Sequence, residues 1–120
     1  MRRKLVIKVL TGVNDPERTA QAFTVAASAV AAGVDVSLWL TGEASEFAIP
    51  GKAESFTLEF AAPLPGLIAT VLAAGSITLC TQCAQRRGIT ADQLIPGIVI
   101  KGAASFVEEI MEDGVQALIY

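Results

Sequence analysis

Apolar positions along the chain fall into short β-branched runs, separated by longer stretches rich in alanine and leucine. Residues 4–10 (KLVIKVL) are the first such run and predict a strand. A turn at Thr11-Gly12-Val13-Asn14 leads to Asp15, a helix cap. Pro16 follows at a first helical position, where a missing amide proton costs nothing. Glu17 suits the positive end of the dipole, and the helix runs to about Ala32, where Gly33 stops it. This helix is apolar nearly all round and rich in alanine, a surface that can approach a sheet or a second subunit closely. Residues 34–40 (VDVSLWL) are the second strand, ending at Thr41-Gly42. Strand, helix and strand joined this tightly predict a right-handed parallel crossover.

Residues 43–49 predict a short helix broken by Pro50-Gly51, and 52–63 follow no clear rhythm. Within them, 55–60 (SFTLEF) alternates like an edge strand, and a loop crossing the top of the domain fits equally well. A helix from Pro65 to Ala74 stops at Gly75, and 76–79 (SITL) form the third strand. The chain then passes Cys80 into a short run of helix formers closed by Gly88. Thr90 caps another helical turn over 90–94, and 97–100 (GIVI) are the fourth strand. Residues 103–113 are an amphipathic helix with Phe106, Val107, Ile110 and Met111 on one face, closed by Gly114, and 115–120 a last short strand. With no linker, repeat or low-complexity segment, this alternation predicts a single doubly wound α/β domain over 1–120, its sheet flanked by helices on both faces.

A chain of 120 residues can bury one substantial core. At 52% hydrophobic and 18% charged it is apolar for a small monomer, which predicts self-association. A net charge of −3 offers no basic footprint for nucleic acid or an anionic membrane. Met1-Arg2-Arg3-Lys4 is positive like the start of a signal peptide, but the apolar run behind it is short and interrupted by Lys8. The alanine-rich run over 20–32 carries Gln21, Thr24 and Ser28 and is too short to span a bilayer. The expectation is a reducing, cytoplasmic setting, where a close cysteine pair is more often reactive than structural.

That pair is Cys80 and Cys83, the only cysteines, in a chain without histidine. Functional groups in open α/β sheets gather at the carboxyl ends of strands, where Cys80 is expected. Unpaired amides at the start of the following helix favour a thiolate there. Cys83 lies about one helical turn on; it is either a partner in a reversible disulfide or a small apolar filler. Arg86 and Arg87 either turn toward the thiol or form a solvated basic helix end. Two cysteines and no histidine cannot supply four zinc ligands from one chain, and no metal is expected. No nucleophile elbow, phosphate loop or dinucleotide fingerprint is present, so no cofactor is expected. Glu43, Glu46, Glu54 and Glu59 read as surface charge rather than proton carriers, and Trp39 as core or interface.

At Cys80, Ala84 and Arg86-Arg87-Gly88-Ile89-Thr90 the chain resembles the DsrE/DsrF-like family of small sulfur-relay proteins, which includes the TusD subunit of the tRNA-thiolation relay. Asn14-Asp15-Pro16-Glu17-Arg18, the alanine-rich helix and Gly33-Val34-Asp35-Val36-Ser37-Leu38 also look like that family's opening, whereas the segment from Phe47 to Pro65 departs from it. The resemblance implies a five-stranded, mostly parallel sheet in a trimer or hexamer, and a persulfide carried on Cys80 between donor and acceptor proteins. Cys83 then resolves that persulfide or lines its pocket. Two other readings use the same residues: a thiol–disulfide couple of Cys80 and Cys83, and an oligomeric binding module whose cysteines are incidental.

Overall fold

The β-branched runs fall into place as parallel strands because the segments between them are long enough to return along the sheet as crossovers. A computed structural model describes residues 3–120. Its strands are β1 (Lys4–Val9), β2 (Asp35–Leu40), β3 (Ser76–Cys80), β4 (Val99–Lys101) and β5 (Val115–Ile119). They form one sheet in the order β4-β3-β2-β1-β5, and every neighbouring pair is parallel. The expectation of a mostly parallel sheet is thus met by a fully parallel one.

The helices are α1 (Pro16–Ala31), α2 (Leu64–Ala74), α3 (Thr81–Arg86) and α4 (Ala103–Ile110). Asp15 caps α1, its carboxylate accepting the Arg18 amide at 3.3 Å. Thr19, Ala20, Ala22, Phe23, Ala26 and Ala27 form the buried face of α1. The small alanines let it lie close to the sheet and to α2. Leu38, Leu40, Ile77 and Leu79 meet these helices in one core, which also takes in Ala84 of α3. The opposite sheet face carries Lys4, Val6, Lys8, Ser37, Trp39 and Thr78, and α4 lies across it. Phe106 packs edge-on against Trp39 with centroids 5.3 Å apart. Glu109 accepts hydrogen bonds from Ser37 Oγ at 2.6 Å and Trp39 Nε1 at 2.9 Å.

Between β2 and α2 the chain forms 3₁₀ helices over Gly42–Ala48 and Ala53–Ser55. Residues 55–60 form no strand; of the two readings the loop is the right one. Alternation there has a different cause. Phe56 is drawn into the core through Phe47, which packs edge-on between Phe23 and Phe56 at 5.9 and 5.8 Å. Phe60, at a positive φ of 63°, turns the chain and is fully exposed. The amphipathic helix also differs from expectation in burial. Phe106 and Ile110 are half-buried, but Val107 and Met111 remain 54% and 75% exposed. Among the described residues no helix is long and apolar enough to cross a membrane.

Candidate functional site: a thiol at the end of the third strand

Cys80 is both the last residue of β3 and the N-cap of α3, with φ −63° and ψ 130°. Its register partner across the ladder is Lys101, the last residue of β4. From these adjacent ends the chain departs to opposite faces: β3 leads into α3 on the α1–α2 side, and β4 into α4 on the other. This divergence opens a crevice at the carboxyl edge, the place where open α/β sheets hold their ligands. The two exits are close, since a Cβ added to Gly102 would lie 3.6 Å from Thr81 Oγ1.

The Cys80 side chain is half-buried and its thiol is free. Burial pushes the thiol up, but the Cys83 amide and thiol, the Gln82 amide and the positive charge of Lys8 outweigh it, so its pKa lies below the ordinary value. A larger fraction of this sulfur is therefore thiolate at neutral pH than in an isolated cysteine, and it keeps access to solvent.

Cys83 is buried and also free. Its sulfur accepts the Gly42 amide at 3.3 Å, which ties α3 to the end of β2. Gly42 permits that approach: its φ is 50°, and a Cβ there would sit 2.7 Å from the Leu10 carbonyl oxygen. Arg87 turns toward this second cysteine. Its guanidinium lies 3.4 Å from Glu43 Oε1 and donates to the Cys83 carbonyl at 3.4 Å. Arg86 is exposed at the basic end of α3. Gly88, at φ 64°, ends the helix in a left-handed turn that returns Ile89 to the core, with the Ile89 amide on the Ala84 carbonyl at 2.9 Å.

Sequence reasoning missed Lys8, the one cation among the influences on Cys80. Its signal was a single charge inside the apolar run of β1, where an unburdened strand would be apolar throughout. Glu54 and Glu59 are exposed and Glu43 serves Arg87. Two hollows, of 360 and 330 Å³, lie around residues 54–65, the first of them beside α1, and no cysteine lines either. Among the described residues no cluster of three or more histidine, cysteine, aspartate or glutamate side chains is arranged to hold a metal ion.

With this geometry in view, comparison with known proteins decides the family. The model of the DsrE/DsrF-like family matches residues 3–118, nearly the whole chain. The chain belongs to that family. Solved structures agree on the fold. The ychN protein of E. coli superposes over 100% of both chains with a TM-score of 0.81 at 16% identity. The protein of unknown function MTH1491 of Methanobacterium thermoautotrophicum matches with a TM-score of 0.75 at 10% identity, covering 98% of this chain and 99% of its own. BT1422 of Bacteroides thetaiotaomicron, likewise of unknown function, gives 0.62 at 17% identity over 98% and 94%. At such identities the likeness is one of fold. No curated protein sequence matches the chain significantly.

Proposed function

We propose that the chain, acting as a single domain, is a sulfur carrier that holds sulfane sulfur as a persulfide on Cys80. The observation that carries this reading is the half-buried, free thiol of depressed pKa at the crevice of a DsrE/DsrF-like chain. The Cys80 thiolate attacks the outer sulfur of a donor persulfide. A Cys80–sulfur bond forms, the donor's sulfur–sulfur bond breaks, and the donor leaves as a thiolate with the bonding electron pair. The transferred sulfur keeps its oxidation level throughout, so no external oxidant is needed. The reverse attack by an acceptor thiol releases the cargo. Cys83, anchored by Gly42 and flanked by the Arg87–Glu43 pair, shapes the floor under Cys80, and Gly88 fixes the helix end that holds it. The partners are donor and acceptor proteins with reactive thiols, in a compartment such as the cytoplasm that keeps thiols reduced. The exposed apolar side chains of α4 and β5 support self-association as a trimer or hexamer.

Intact-mass measurement after incubation with a sulfane-sulfur donor tests the reading. A gain of about 32 Da that survives in Cys83→Ser and vanishes in Cys80→Ser is the expected result. Sulfur uptake that persists in Cys80→Ser would overturn it. The Cys83 thiol, which helps lower the pKa of Cys80, favours one second reading, a reversible Cys80–Cys83 disulfide. In that case the change is a loss of about two hydrogens that requires both cysteines.

A further inference from the structure

We infer that Lys8 is the counter-cation of the sulfur at Cys80, so that the cargo is carried as an anionic perthiolate paired with a lysine from β1, two strands away across the sheet. The inference rests on the carrier reading above and adds the ionic form of the cargo and the residue that holds it.

The placement follows from the register. Lys8 of β1 pairs with Trp39 of β2, and Trp39 with Thr78 of β3, two residues before Cys80. Side chains two apart on a strand share a face, so Lys8, Trp39, Thr78 and Cys80 all stand on the α4 side of the sheet. Strand spacing and rise place the Lys8 and Cys80 Cα atoms about 12 Å apart, a gap that a lysine side chain largely spans. The ammonium lies 5.0 Å from the centroid of the Phe106 ring, in the first turn of α4 at the carboxyl edge of the sheet. Phe106 is itself packed against Trp39 of β2, the register partner of Lys8, so the ring that holds the ammonium is anchored on the strand between β1 and β3.

The surrounding charges single Lys8 out. Lys4 takes Glu112 at 3.0 Å and Glu109 at 3.4 Å, and Glu109 also serves Ser37 and Trp39. Arg87 takes Glu43. Among the described residues no carboxylate lies within ion-pair distance of Lys8. A half-buried ammonium facing only an aromatic ring is incompletely compensated, since the ring replaces part of its lost hydration. An anionic sulfur across the crevice completes it. The charge of Lys8 already acts on the Cys80 thiol in the unloaded chain. A hydropersulfide is more acidic than the thiol it replaces, so loading strengthens the same pair. Three further charges stand beside this face: Asp35 at the far, amino end of β2, Glu108 of α4, and Lys101, the register partner of Cys80 on β4; Lys101 and Glu108 are exposed.

The test compares wild type, Lys8→Met and Lys8→Arg in two measurements on the full chain. One is the pH–rate profile of Cys80 alkylation by iodoacetamide, followed by intact mass; the other is the lifetime of the persulfide after loading. Lys8→Met is expected to move the alkylation profile to higher pH, slow alkylation several-fold at pH 7 and shorten the persulfide lifetime several-fold. Lys8→Arg is expected to restore both, which a purely structural loss of the lysine stem would not allow. Lys8→Gln gives the same readout should the methionine variant fold poorly. An alkylation profile unchanged in a folded Lys8→Met or Lys8→Gln overturns the inference, whatever the loading result. Failure of wild type to take up sulfur overturns the carrier reading instead, so the two failures are distinct.

Discussion

Cys80 owes its character to convergence from distant parts of the chain: two amides and a thiol from α3 and a cation from β1 all act on one sulfur. The contribution of the Cys83 thiol can be isolated, because Cys83→Ala removes the sulfur donor and leaves the amides in place. Alkylation of Cys80 rises with pH as the thiolate forms, and a depressed pKa brings that rise to lower pH. In Cys83→Ala the rise is expected at higher pH, with a several-fold slower rate at pH 7, measured as the pH–rate profile with iodoacetamide. An unchanged profile would assign the depressed pKa to the amides and Lys8 alone. At this scale the sequence was informative where chemistry is local. A strand-end cysteine, a helix opening behind it and a glycine stop could all be read within ten or so residues. Lys8 could not, because its relation to Cys80 passes through two intervening strand pairings that local pattern does not encode. The turn of Arg87 toward Glu43 was hidden for the same reason, since that pairing joins the end of α3 to the 3₁₀ helix after β2.

At the scale of elements, α4 is fastened to the sheet by a polar anchor rather than by oil alone. Glu109 binds a serine, an indole and a lysine at once. Burial pushes its pKa up, but the hydrogen bonds from Ser37 and Trp39 and the charge of Lys4 outweigh it and hold it below the ordinary value. Glu109→Ala leaves the Ser37 hydroxyl and the Trp39 indole N–H without their partner and should cost about 2–3 kcal/mol in urea unfolding. The pH dependence has a definite sign. A folded pKa below the unfolded one stabilises fully above about pH 4.3, and that contribution is lost as the pH falls further through the folded value. The stability gap between wild type and Glu109→Gln should therefore narrow below that pH; a constant gap would mean the charge of Glu109 does not contribute. The middle segment is held differently, by Phe47 between two rings, and Phe47→Ala should cost about 3–5 kcal/mol in the same experiment. Both anchors explain what the sequence conveyed. Strands and helices with their own caps, such as the Asp15-Pro16 start of α1, were legible because the signal lies inside the element. Residues 55–60 were ambiguous because Phe56 and Leu58 alternate in response to Phe47 and the core, and that looks like a strand when the partner is unseen.

For the molecule as a whole, the question is what covers the side chains that the single chain leaves in water. The alternation of elements conveyed a doubly wound sheet, but not that all five strands run parallel, because the direction of β5 depends on a crossover from the far edge of the sheet. Composition likewise predicts self-association without saying where. One candidate flank joins Val107 and Met111, one turn apart on α4, with Ile119, 65% exposed on edge strand β5 against which α4 packs. The inward side of α4 is occupied by Phe106 and Glu109, so changing the outward side should leave the chain folded. Val107→Lys combined with Met111→Glu places two charges on that flank, at a cost that is small in a monomer and large in a desolvated contact. Light scattering should give wild type a mass that is a multiple of 12.5 kDa. The double variant should fall to the single-chain mass with its circular dichroism unchanged. A wild type already at the single-chain mass would mean this flank waits for a different protein, and the relay partners would be the first to try. A double variant that stays assembled would move the contact elsewhere, with the exposed Val99 on the opposite edge strand β4 as the next surface to charge. Because Val99 is the neighbour of Thr78 on the Cys80 face, that second outcome would bring the contact between copies to the crevice itself.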